Sequence, residues 1–93
     1  MADVIWRIPA LDDLDEAITY IEHHDRAAAD RYRARLIAAG EALRDFPSRG
    51  RRATVPSQRE VTTVPPYVIT YEVEGDTVFI LSIRHGRRRP LAD

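Results

Sequence analysis

Cysteine and lysine are both absent from the 93 residues. Without cysteine there is no disulfide, no thiolate ligand and no thiol nucleophile, so stability must come from packing. Without lysine, Schiff-base and amine catalysis are excluded. All 14 basic residues are arginine, planar and permanently charged groups suited to phosphate and carboxylate. A GC-rich genome biases codons the same way and is the simpler cause. No apolar run approaches the roughly 20 residues of a membrane span, and Met1-Ala2-Asp3 lacks the basic start of a signal peptide, so a cytoplasmic protein is expected. Repeats, linkers and low-complexity stretches are missing too.

What remains is the composition of one small domain, residues 1–93. A hydrophobic fraction of 44% with 31% charged residues is that of a globular chain rather than a disordered one, and a chain of this length buries about two thirds of its unfolded surface, enough for one core. The net charge of −1 hides an asymmetry. Residues 1–46 hold six arginines and ten acids, and residues 47–93 hold eight arginines and five acids, which makes the halves −4 and +3. An overall pI near 6.3 argues against non-specific coating of nucleic acid, but a localised basic face can still grip one anionic site.

Val4-Ile5-Trp6 is β-prone and is stopped by Pro9, a good first helical residue because no needed donor is lost there. Leu11, Leu14, Ile18 and Ile21 recur at steps of three and four, predicting a helix to about His24 with one apolar stripe. Asp12, Asp13, Asp15 and Glu16 lie in its early turns, where the helix dipole favours anions; no histidine sits beside them at ligand spacing, so no metal site is expected. Asp25 is placed to cap a second helix that opens with Ala27-Ala28-Ala29. From there Ala29, Tyr32, Leu36, Ala39, Leu43 and Phe46 form the seam of an antiparallel hairpin, with Ala17, Ala29 and Ala39 allowing close approach. Pro47 ends it, and Ser48-Arg49-Gly50-Arg51 is the exit loop. His23 and His24 fall at the bend, as a surface pair.

The period then changes to 2. Arg59 to Val64 reads as a strand, Pro65-Pro66 as a break, and Tyr67 to Val73 as a second strand with Tyr67, Ile69, Tyr71 and Val73 on one face. Gly75-Asp76 marks a short hairpin. In Val78 to Ile83, Phe79, Leu81 and Ile83 are expected on one face and Val78 and Ile80 on the other, so this strand should lie inside the sheet. The class is α+β: a short N-terminal strand and an antiparallel helical hairpin packed on a three- to four-stranded, mainly antiparallel sheet.

The last predicted strand runs into Arg84-His85-Gly86-Arg87-Arg88-Arg89-Pro90. A strand ending in such a cationic cluster is suited to holding an anion. With Arg59-Glu60-Val61, Tyr67 to Val73 and the Glu74-Gly75-Asp76-Thr77 turn upstream, this order resembles the C-terminal half of the RelE/ParE toxin superfamily of bacterial type II toxin–antitoxin systems. Its His-Gly-Arg-Arg ending is nearest the ParE branch. The N-terminal pieces, Ile5-Trp6, Ala10, Asp13-Leu14, Ala17-Ile18-Tyr20-Ile21 and Leu43-Pro47-Gly50-Arg51, extend the resemblance over nearly the whole chain.

The resemblance implies a RelE-like fold and a choice of two actions. RelE-like toxins cleave mRNA on the ribosome, which requires a base, an arginine at the phosphate and an acid for the leaving oxygen. Arg59, Glu60, Arg84 and His85 could supply these. However, the arginine expected near the start of the penultimate strand is replaced by Val68 or Tyr67, and His85 is followed by Gly86 rather than tyrosine. ParE-like toxins poison DNA gyrase by binding, without cleavage chemistry or cofactor. The target-binding residues would then be Arg84, His85, Arg87, Arg88 and Arg89. A ParD-like antitoxin encoded beside the toxin would neutralise it through a disordered segment that folds on the hairpin face and sheet edge near Ile37 and Ala38. A gyrase-binding toxin serving plasmid maintenance is the preferred expectation. The alternatives are a ribosome-dependent mRNA endonuclease and a non-toxic partner-binding relative.

Overall fold

A first strand, β1 (Asp3–Trp6), runs straight into helix α1 (Ile8–Glu22), which turns back through His23 to Asp25 into α2 (Arg26–Glu41). One 3-10 turn, Ala42–Arg44, extends α2. Four strands follow: β2 (Arg51–Arg52), β3 (Gln58–Val64), β4 (Tyr67–Glu74) and β5 (Thr77–His85). The computed structural model describes residues 1–86; Arg87, Arg88 and Arg89 lie outside them. Among the described residues, no helix is long and apolar enough to cross a membrane.

The sheet has the order β1-β5-β4-β3-β2. β1 pairs parallel with β5, and every other pairing is antiparallel. Two strands thus flank β5, the interior position its apolar faces require. The sheet has five strands because the two residues of β2 in the exit loop add a short edge to β3. Gly75, at a φ of 57°, forms the tight β4–β5 turn in a conformation that side chains resist.

The helical hairpin covers one sheet face. Ala10, Leu14 and Ile18 of α1 and Ala29, Leu36 and Leu43 of the second helical run are buried against Val61, Ile69, Tyr71, Val78, Ile80 and Ile83. Asp25 accepts a hydrogen bond from the Ala28 amide at 3.0 Å, the cap its residue type suggests.

Four placements differ from the sequence expectation. Helix α1 begins at Ile8, with Pro9 as its second residue, so Ala10 takes the inward position and Leu11 is 46% exposed. Phe46 leaves the seam and is 63% exposed, because the 3-10 turn changes the angular step per residue before the chain reaches it. Val73 continues the alternation of β4 but lies beyond the core, 39% exposed. In β5, Thr70 pairs with Ser82 and Tyr71 with Ile80, leaving Leu81 as an extra residue. This bulge reverses the alternation, so Ile83 joins Val78 and Ile80 in the core rather than Phe79 and Leu81. Phe79 lies on the opposite face under the Arg7 guanidinium, 4.4 Å from its ring centre.

Candidate functional site

The start of β3 and the end of β5 carry the residues that the sequence singles out, and strand alternation divides them between the two sheet faces. Arg59 pairs with Tyr71 and His85 with Tyr67, so both lie on the helix side. Glu60 pairs with Thr70 and Arg84 with Val68, and these lie on the open side. The four residues of the cleavage hypothesis therefore do not converge on one point.

Each has a definite environment. Arg59 donates to the carbonyls of Gly50, at 2.8 Å, and Ser48, at 3.4 Å. The buried Tyr71 hydroxyl accepts from the Gly50 amide and donates to the Pro47 carbonyl, both at 2.8 Å. Together they fasten the exit loop to the sheet, which is a structural task. Glu60, its side chain only 14% exposed, receives Arg84 from across β4 at 3.0 Å and Arg51 from β2 at 3.1 Å. Both of its carboxylate oxygens are thus engaged, Oε1 by Arg51 and Oε2 by Arg84. Arg84 is thereby fixed on the open face. The His85 ring lies 5.7 Å from that of Tyr67, which in turn lies 5.8 Å from that of Tyr32. Ile37 is 38% exposed and Ala38 is exposed on α2.

Between α1 and the end of β5 opens a groove of about 810 Å³. Asp15, Glu16 and Tyr20 line it from the helix, and Tyr67 and Ile83 from the sheet; Arg84 and His85 also border it. Asp13 holds its two sides together. β1 covers β5 only from Thr77 to Ile80, and the next outward amide, that of Ile83, donates to the Asp13 carboxylate at 2.9 Å. Burial raises the Asp13 carboxyl above its ordinary range, the Ile83 hydrogen bond opposes this, and the charges of Glu16 and Asp12 add to it. The early acids of α1 are thus not dipole partners: its first turn contains none of them, and Asp13 instead caps a strand edge. A mid-helix acid next to inward-facing Leu14 was the one sequence signal for this.

A second polar link escapes the sequence altogether. The Trp6 indole donates to Glu41 at 2.9 Å, and Arg44 reaches the other oxygen of the same carboxylate at 2.8 Å. The indole bond first, then Arg44, hold the Glu41 carboxyl below its ordinary range. Among the described residues no group of His, Asp and Glu side chains is arranged to hold a metal ion.

Residues 4–90 match the family model described as ParE toxin of type II toxin-antitoxin system, parDE. The chain is 44% identical to Toxin RelE2 of Caulobacter vibrioides, over 95% of this chain and 99% of the relative. It is 39% identical to the putative toxin Y4kP of Sinorhizobium fredii, over 90% and 88%, and 34% identical to Toxin RelE1 of C. vibrioides, over 89% and 91%. Its fold matches a chain of the chromosomal ParDE system from P. aeruginosa with a TM-score of 0.82 at 22% identity, covering 91% of this chain and 96% of that one.

Proposed function

Because the chain belongs to the ParE toxin family of type II toxin–antitoxin systems, we propose that residues 1–93 act as one toxin domain that binds and poisons DNA gyrase in the cytoplasm, without catalysing a reaction itself. The observation that carries this reading is the division of Arg59, Glu60, Arg84 and His85 between opposite faces. A binding toxin tolerates that division, whereas a nuclease needs its base, acid and phosphate ligand around one atom. The target surface is the cationic end of β5: Arg84, already oriented by Glu60, with His85 and the following Arg87, Arg88 and Arg89. A ParD-like antitoxin restrains the toxin before it reaches its target, a role supported by the match to a ParDE system.

Ribosome-dependent mRNA cleavage is the second reading, favoured by the RelE names of two relatives. Induced expression without antitoxin separates the two. Gyrase poisoning produces filamentation and the DNA-damage response while transcripts stay whole, and purified gyrase accumulates cleaved DNA when the toxin is added. Arrested protein synthesis with cuts at ribosomal A sites would replace this reading by the nuclease one. Converting Arg87, Arg88 and Arg89 together to alanine abolishes killing on the gyrase reading, and His85→Ala alone leaves most of it; unchanged killing by the triple variant refutes the assigned surface.

A further inference from the structure

The groove between α1 and the end of β5 is bordered by Arg84 and His85 of the proposed target surface, but its other lining groups have no part in that surface and a selective chemistry of their own. Tyr67 and Ile83 give it an apolar sheet side, and on its helix side Tyr20 stands 61% exposed, its ring 5.0 Å from that of His24. Beside Tyr20, Asp15 and Glu16 are both exposed on α1. The Arg84 guanidinium is directed away to Glu60 on the opposite face, at 3.0 Å, so it does not neutralise these acids. The groove, which His23 and His85 also line, thus sets two acidic side chains beside an apolar wall, on a helix from the half of the chain whose net charge is −4.

We propose that this groove receives a basic segment of the antitoxin, seating an apolar side chain between Tyr20 and the Tyr67–Ile83 wall and directing an adjacent arginine or lysine at Asp15 and Glu16. This rests on the toxin–antitoxin reading above, and it puts the contact on α1 rather than at Ile37 and Ala38 of α2. The charge selects the occupant: an acidic segment would be repelled, and a cation alone would leave the apolar wall uncovered. Arg84 and His85 border the same groove, so a segment seated there also covers part of the proposed target surface. Neutralisation then follows from occupancy, without any change of shape in the toxin.

The test uses the full-length toxin co-expressed with the antitoxin encoded beside it, and 15-residue peptides tiled across that antitoxin. Asp15→Arg with Glu16→Arg reverses the charge at two exposed helical positions, and killing without antitoxin verifies that the variant folds. The expected result is that one tiled peptide carrying a basic residue next to an apolar one binds the native toxin, more weakly as salt rises. Its affinity for the double variant falls about tenfold or more, and changing its basic residue to glutamate recovers binding to the variant. Equal neutralisation of native and variant toxin, or tightest binding by an acidic peptide, overturns the proposal. A native toxin that its neighbouring antitoxin does not restrain instead overturns the toxin–antitoxin reading beneath it.

Discussion

Asp13 and Glu41 are both carboxylates on helices, and their surroundings drive them in opposite directions. Replacing Asp13 by alanine strands the Ile83 amide, and an unsatisfied donor at a partly buried edge costs about 1–3 kcal/mol. Asp13→Asn keeps an acceptor oxygen and removes repulsion from Glu16 and Asp12, so urea unfolding at neutral pH should find it far closer to the native protein. The pH dependence follows from the signs. Asp13 has a raised folded pKa, so its contribution is present at acid pH and is lost as pH rises through that value. Glu41 has a lowered one, so its contribution is present above the ordinary carboxylate range and is lost as pH falls through the folded value. On acidification from neutrality, the native protein should therefore gain Tm relative to Asp13→Asn and lose its advantage over Glu41→Gln. Parallel shifts in the two comparisons would contradict these assignments. Neither role was legible from composition, since a carboxylate's partner depends on which distant backbone or indole group the fold brings to it.

Among the elements, the two helices and strands β3 to β5 were legible because apolar spacing changes cleanly from a helical period to a period of 2. Phase was harder to read. A single extra residue, Leu81, turned Ile83 into the core, and nothing in Val78-Phe79-Ile80-Leu81-Ser82-Ile83 marks which residue is extra. The contact of α2 with β1 was also hidden, although it depends on one glycine. A Cβ on Gly40 would lie 2.4 Å from Trp6 Cζ2 and 2.8 Å from Ile80 Cδ1. Gly40→Ala gains about 1 kcal/mol of helix propensity, yet overpacking of this kind typically costs about 1–3 kcal/mol. Thermal melting should show a net loss, and a rise in Tm would mean that the ring moves aside freely. Tyr71→Phe tests the exit loop. It leaves the Gly50 amide without its acceptor and the Pro47 carbonyl without its donor, and it should cost about 1–3 kcal/mol while raising the rate of proteolysis around Ser48 to Arg51.

At the scale of the whole molecule, the groove brings the acidic side chains of α1 beside the end of β5 that carries Arg84 and His85. Their adjacency required the fold, because Asp13 and Ile83 are 70 residues apart along the chain. The candidate cleavage set also needed the fold to be read: it is two adjacent pairs in sequence, Arg59-Glu60 and Arg84-His85, and the pleat puts the members of each pair on opposite faces. The parallel pairing of β1 with β5 has a consequence for how the toxin is made. The strand translated first has its partner among the residues translated late, and such distant pairings form slowly because a long loop must close before any contact rewards it. A nascent chain that has not yet passed Thr77 cannot complete the sheet, and it has neither the groove nor the arginine-rich strand end. The finished fold is thus reached only in the last stage of synthesis, once β5 has been made and can take β1 as its neighbour.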